Sequence, residues 1–251
     1  MGVIRQVWPE ARELADADLE QLYGYPADPK WLAVNFVSSA DGAVTVEGRS
    51  AGLSTPADRV VYRLGNDLAD VVLVGAGTAM AEGFEGMRPD ERTAEIRARH
   101  GLAPIPPVAV VTTGRSLPPD APVITKAAVP TIVITSERAP QDLRDAWAAA
   151  GAQVLVAGEN DVALELAVAS LVAQGLGRID CEGGPHLFGA LLAAGVVDEL
   201  RLTVAPYLVS GTSSRAATGS TIDPAELELA SILTDGASLL LRYLIPASTK
   251  D

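Results

Sequence analysis

Two turns in this chain of 251 residues carry the residue types from which a phosphate cradle is built. One is Val74-Gly75-Ala76-Gly77-Thr78 and the other is Cys181-Glu182-Gly183-Gly184-Pro185-His186. Each follows a run of strand-forming residues and precedes a helix start. Glycine lets backbone approach a ligand closely, and the free amides at a helix N-terminus attract an anion. Met80 stands where a GxGxxG fingerprint needs its third glycine, so a Rossmann dinucleotide site is not indicated. A pair of such turns on one sheet would hold a pyrophosphate from both sides. Gly48-Arg49-Ser50-Ala51-Gly52 spells the GxSxG pattern of a hydrolase nucleophile elbow. That elbow needs a strand before the serine and a helix directly after it, whereas the next helix signal comes only at Pro56.

Composition narrows the field further. Lys and Arg number 19 against 32 Asp and Glu, a net charge of −13. A nucleic-acid backbone is therefore not the expected partner, and an anionic ligand must be met by local donors rather than by the overall field. A single cysteine, Cys181, and two histidines, His100 and His186, leave no internal disulfide and no thiolate–imidazole zinc site to expect. The His-x-Glu and Pro-Cys-x-x-Cys elements of a zinc deaminase are absent as well. The longest apolar run, Leu187 to Val197, is broken by glycines and stops at Asp198. It falls short of the ~20 residues of a membrane span, and the N-terminus lacks a signal-peptide core, so a cytoplasmic protein is expected.

The elements that must position these turns read as alternating strands and helices. After a polar N-terminal arm over residues 1–30, Trp31 to Ser39 forms a buried strand ending at the turn Asp41-Gly42. Thr55-Pro56-Ala57-Asp58 predicts a helix start, and Val60, Val61, Leu64 and Leu68 keep an apolar stripe along that helix. Val71 to Gly75 is the next strand, and a polar excursion follows with a short helix over Glu91 to Arg99. Val108 to Thr112 and Thr131 to Thr135 read as strands, and a weaker strand-then-helix segment runs from Ala139 to Ala150. Then come a strand at Gln153 to Val156, a helix at Val162 to Ala173, a strand at Arg178 to Glu182 and a helix at Leu187 to Ala194. Glu199 to Ala205 and Leu239 to Ile245 alternate as two closing antiparallel strands. The loop over Ser210 to Pro224 reads as a surface loop, a cover for the active site or a dimer contact. The expectation is one α/β domain over residues 31–251, with a mostly parallel mixed sheet and helices on both faces.

In the same order along the chain, Asn35-Phe-Val-Ser-Ser-Ala-Asp41-Gly42, Thr55-Pro-Ala-Asp-Arg59, Ala69 through Thr78, and Glu182-Gly183-Gly184-Pro185 running on to Pro206 resemble the reductase domain of riboflavin biosynthesis. The match covers about Trp31 to Gly211. The resemblance implies a dihydrofolate-reductase-like fold, NADPH as cofactor, and reduction of the ribosyl group of a pyrimidine intermediate, 5-amino-6-(5-phosphoribosylamino)uracil, to ribityl. It implies cofactor contacts at Gly75, Gly77 and Thr78, and from the other side at Gly183, Gly184, Pro185, His186 and Leu187. Thr112, Thr113 and Arg115 would meet the adenosine 2′-phosphate, for which an arginine fork is apt.

By the same resemblance Asp41, Ser54 and Glu182 lie toward the nicotinamide and substrate, with Glu182 handling a proton or binding the pyrimidine edge. Arg63 and Arg88 are candidates for a substrate phosphate. Many relatives carry a lysine where this chain has Asn35, which supplies no cation but can bond a sugar hydroxyl. A pteridine such as dihydrofolate therefore stays open as substrate, as does a non-catalytic nucleotide-binding role. Relatives also lead one to expect a homodimer joined through sheet edges.

Overall fold

The computed structural model describes residues 3–88 and 90–246. Eleven strands form one sheet among these residues: β1 (Arg5–Trp8), β2 (Arg12–Glu13), β3 (Trp31–Ser39), β4 (Val71–Gly75), β5 (Val108–Val111), β6 (Ile132–Thr135), β7 (Gln153–Val156), β8 (Arg178–Cys181), β9 (Glu199–Ala205), β10 (Glu228–Thr234) and β11 (Leu239–Leu244). Their spatial order is β2-β1-β10-β11-β9-β3-β8-β4-β5-β6-β7. From β9 to β7 all neighbours are parallel, while β11, β10, β1 and β2 continue the other edge in antiparallel fashion. The expected α/β class, with a mostly parallel mixed sheet and antiparallel closing strands, is what the chain adopts.

Eight helices connect the described strands: α1 (Asp16–Leu22), α2 (Pro56–Leu68), α3 (Ala76–Glu82), α4 (Glu91–Arg99), α5 (Pro122–Thr125), α6 (Gln141–Ala149), α7 (Leu164–Ala173) and α8 (Pro185–Ala193). α2 starts where its signals predict. Thr55 accepts a hydrogen bond from the Asp58 amide at 3.2 Å, and Pro56 occupies the first turn, where its missing N–H costs nothing. α8 starts two residues earlier than its apolar run suggests, for the same reason: Pro185 opens it. Residues 139–140 form no strand, so only the helical part of the Ala139 to Ala150 segment exists. Residues 5–22, expected as part of an arm, supply a helix and two strands, β2 at the edge of the sheet and β1 between β2 and β10. No helix of the described residues is long and apolar enough to cross a membrane.

The two faces of the central strands differ in chemistry. Leu32, Val34, Ile179 and Cys181 point toward α7 and α8 and join a dry core with Leu171, Phe188 and Leu191. Phe36 stacks on Phe188 with ring centroids 5.4 Å apart. The opposite face lies toward α2 and carries polar groups. In register across β8, β3 and β9, Asp180 is next to Ala33 and Ala33 next to Glu199; Asn35 pairs with Arg201 and Val37 with Thr203. Asp180, Asn35, Glu199, Arg201 and Thr203 are all buried.

Candidate active site

The parallel strands all present their carboxyl ends at one edge, and the strand order reverses there: the chain runs from β3 to β4 and outward to β7, then returns to insert β8 between β3 and β4. Such a reversal opens a crevice beyond the strand ends, where open α/β sheets bind ligands. Both glycine turns line it. The Gly75 amide donates to the Gly183 carbonyl at 2.8 Å, clamping the two turns together. Gly183 has φ +75°, and a Cβ there would lie 2.8 Å from the Phe36 ring. A Cβ on Gly184 would collide with the Thr78 hydroxyl. Close approach thus demands both glycines, and it leaves the first amides of α8 without helical partners at the crevice. The fit to a phosphate-bearing cofactor rests on this cradle.

The small-residue loop after β9 bridges two walls of the crevice. The Val44 amide donates to the Ser214 carbonyl at 3.2 Å and the Thr218 amide to the Pro185 carbonyl at 3.0 Å. A Cβ on Gly189 would collide with the Thr218 carbonyl, so α8 and this loop are in contact. Of the readings open for Ser210 to Pro224, this contact supports a cover over the crevice.

Glu182 follows β8 and continues its ladder, its amide donating to the Leu73 carbonyl at 2.9 Å. Its carboxyl group turns toward α2, where Asn66 Nδ2 donates to Oε1 at 3.1 Å. Burial, then the charge of Asp180, push this carboxyl well above the usual carboxylate range. Tyr62, one helical turn before Asn66, has its hydroxyl raised by the charge of Glu182 first and by burial second. Ser54 donates to Asp58 Oδ2 at 2.6 Å, and burial raises the Asp58 carboxyl.

The sequence-predicted residues fall in five places. Asn35, Glu182 and Ser54 gather on or beside the α2 face, and Gly75, Gly77, Thr78, Gly183, Gly184, Pro185, His186 and Leu187 form the glycine clamp and the first turns of α3 and α8. Thr112, Thr113 and Arg115 follow β5, one strand further out. Thr112 is buried and its hydroxyl accepts the Gly114 amide at 3.0 Å, while Thr113 and Arg115 are exposed. Arg63 and Arg88 both line a cavity of about 150 Å³ that also touches Tyr62 and Asn66. Both are mostly exposed, 3.5 Å from Asp90 and 3.7 Å from Glu85 respectively.

Asp41 stands apart. It is exposed, and its oxygens accept the Ser39 hydroxyl at 2.5 Å and the Ser210 amide at 2.7 Å, which ties the two crevice loops together. Those bonds hold its carboxyl down at about 2. Sequence reasoning passed over Tyr62, Asn66, Asp58 and Asp180. A signal for the first two existed: they sit four apart, on the face of α2 that helical spacing turns toward the sheet.

Comparison with known proteins bears on this geometry. A model of the RibD C-terminal domain matches residues 30–241. A 2,5-diamino-6-ribosylamino-4(3H)-pyrimidinone 5′-phosphate reductase of Methanothermobacter thermautotrophicus is 31% identical over 221 residues, covering 86% of this chain and 98% of that one. A protein of the same name from Archaeoglobus fulgidus is 30% identical, covering 73% of this chain and 84% of that one. The solved structure of a pyrimidine reductase-like protein from Corynebacterium diphtheriae shares the fold, with a TM-score of 0.78, 22% identity, and coverage of 91% and 98%.

Proposed function

The chain belongs to the RibD C-terminal domain family, and from that premise we propose that it reduces the ribosylamino group of a 2,5-diaminopyrimidinone ribosyl 5′-phosphate to the open ribityl chain, with NADPH as the hydride donor. The single observation that carries this reading is the clamp of the two glycine turns at the strand-reversal edge with Glu182 beside it. The related reductases take the 2,5-diamino compound by name, so this substrate is preferred to the aminouracil suggested by the sequence resemblance.

The cofactor supplies a hydride from its nicotinamide ring. The chain's own groups do the rest. Gly75, Gly77, Thr78 and the turn Gly183 to Leu187 hold phosphates by backbone amides and one hydroxyl, which suits a protein of net charge −13. Thr113 and Arg115 meet the 2′-phosphate that distinguishes NADPH from NADH. Arg63 and Arg88 attract the substrate phosphate from the cavity rim, and Asn66 links that cavity to Glu182. Asn35 hydrogen-bonds the sugar, and the loop over Ser213 to Thr218 excludes water from the reacting carbon. Leu200, Leu202, Leu241 and Tyr243 remain half-buried on the α8 side of the antiparallel strands. Because β9 and β11 lie inside the sheet and not at the edge expected for a dimer contact, the homodimer contact we assign is this face stripe.

Loss of reduced-nicotinamide absorbance with the diaminopyrimidinone, the aminouracil and dihydrofolate as parallel substrates tests the reading. Turnover of the first with NADPH preferred over NADH is expected. Equal turnover with NADH overturns the cofactor assignment, and turnover of dihydrofolate alone overturns the substrate.

A further inference from the structure

We propose that Asp180 is a positioning residue for this reduction: from beneath the crevice it keeps Glu182 in its protonated form, so that a carboxylic acid rather than a carboxylate meets the ribosyl oxygen. The inference rests on the reductase reading above.

Asp180 and Glu182 are two residues apart on a continuing strand and therefore share a face. Consecutive residues of α2 cover them. Asn66 bonds Glu182, and Gly65 abuts Asp180, where a Cβ would lie 2.6 Å from Oδ2. Any larger residue at 65 would occupy the space of the Asp180 carboxyl. Asp180 is fully buried and no N–H or hydroxyl donor reaches its oxygens; the group within hydrogen-bonding reach is the Glu182 carboxyl. No cation is bonded to either acid among the described residues. Arg201 on β9 lowers Asp180 by its charge but bonds neither acid: Nε and Nη2 donate to Glu199 and to the Tyr23 carbonyl, and Nη1 has no partner. The other groups facing the pair are Asp58, Tyr62 and Asn66 from α2, Glu199 from β9 and Tyr25 from the segment before β3, with Glu82 of α3 behind Tyr62. Apart from Arg201 these are neutral or acidic. Two carboxyl groups so confined cannot both ionise, and a proton held between them is the stable arrangement.

The proton has a use. Opening the ribosyl ring breaks the C1′–O4′ bond while the exocyclic nitrogen pair forms a C=N bond. O4′ takes the proton of Glu182, leaving a carboxylate. Hydride, which a bound reduced nicotinamide would supply, would then add to C1′, with the C=N electron pair returning to nitrogen. Glu182 regains a proton from solvent, so the sum is one hydride and one proton added.

The test reads the proton directly. In the full-length protein without cofactor, the infrared carbonyl stretch that disappears in Glu182→Gln is titrated with pH in the wild type, in Asp180→Asn, which keeps size without charge, and in Asp180→Leu, which keeps the branched shape without polar atoms. We expect the midpoint to fall by more than about one pH unit in both variants. The alkaline limb of kcat/KM should fall by the same amount, with activity retained on the acid side. A merely structural role would lower activity at every pH and leave the midpoint in place. An unmoved midpoint overturns the proposal even if the enzyme turns over. A shifted midpoint in a protein that reduces none of the substrates upholds the carboxyl pair and overturns the reductase reading instead.

Discussion

Glu199 and Asp180 flank Ala33 on one face of three adjacent strands, and both are buried. Their surroundings could hardly differ more. Glu199 opens β9, away from the crevice, and its oxygens accept Arg201 Nε at 3.1 Å, Arg242 Nε at 2.6 Å and Trp31 Nε1 at 3.0 Å. Burial alone would raise its carboxyl, but the two guanidiniums override that and hold it down at about 2. Asp180 sits near the carboxyl end of β8, with no cation or N–H on either oxygen and only the raised Glu182 carboxyl beside it. A buried charge that serves the fold is saturated with donors. One that serves the site is left unsatisfied, because its free energy is needed to shift a neighbour.

Substitutions at the two acids should separate these roles. Glu182→Gln removes the proton donor and should lower kcat/KM about 10²–10⁴-fold, with the urea midpoint unchanged or higher. A stability loss as large as the activity loss would erase the distinction. Glu199→Gln should do the reverse. It leaves Arg201 and Arg242 facing a neutral group in a buried site, so unfolding should become easier by about 3–5 kcal/mol. Activity per folded molecule should stay within a few-fold. Asp180→Leu removes a buried acid whose oxygens meet only the Glu182 carboxyl, and should leave the fold as stable or more stable by about 1 kcal/mol while narrowing the pH range of activity. Destabilisation as large as that of Glu199→Gln would mean that Asp180 has a donor besides Glu182 and belongs with Glu199.

Much of this architecture was legible in the sequence, and for identifiable reasons. Thr55-Pro56 and the β-branched run Val71 to Val74 announce α2 and β4 through local chemistry, and both lie where expected. The glycine turns were legible because a close approach leaves a compositional trace. β10 was not, since Glu228 to Thr234 has only weak alternation and owes its place to pairing with β1 and β11. The short strands of the N-terminal segment depend on β10 in turn. Within the site, Glu182 was visible beside its glycines, but Asp180 was not. Nothing local distinguishes a carboxylate in Arg178-Ile-Asp-Cys181 from one that faces water. Its burial follows from Gly65, 115 positions earlier, which makes room for it across the α2–β8 contact. Asp41 was visible at its turn for the same reason as Glu182, but its acceptor bonds to Ser39 and Ser210 join segments far apart in the chain and leave no trace in the sequence around it.

The smallest effect, and the finest test of the contrast, is the pH dependence of stability. Glu199 has a folded pKa depressed to about 2 against an unfolded value of about 4.3. Its contribution is therefore full above the unfolded value and is lost as pH falls through the folded one. Asp180 and Glu182 are raised by burial, so the native state holds more protons than the unfolded chain once pH exceeds ordinary carboxylate values. Their contribution has the opposite sign: stability declines as pH rises toward neutrality, by at most about 1.4 kcal/mol per pH unit for each proton retained. Urea unfolding across pH 2 to 8 should then show an acid limb that Glu199→Gln reduces, leaving the share of Asp41 and other lowered carboxylates, and a neutral decline that Asp180→Leu flattens. If one substitution flattened both limbs, the two sites on this sheet face would be a single electrostatic network rather than a scaffold ion cluster beside a proton-holding pair.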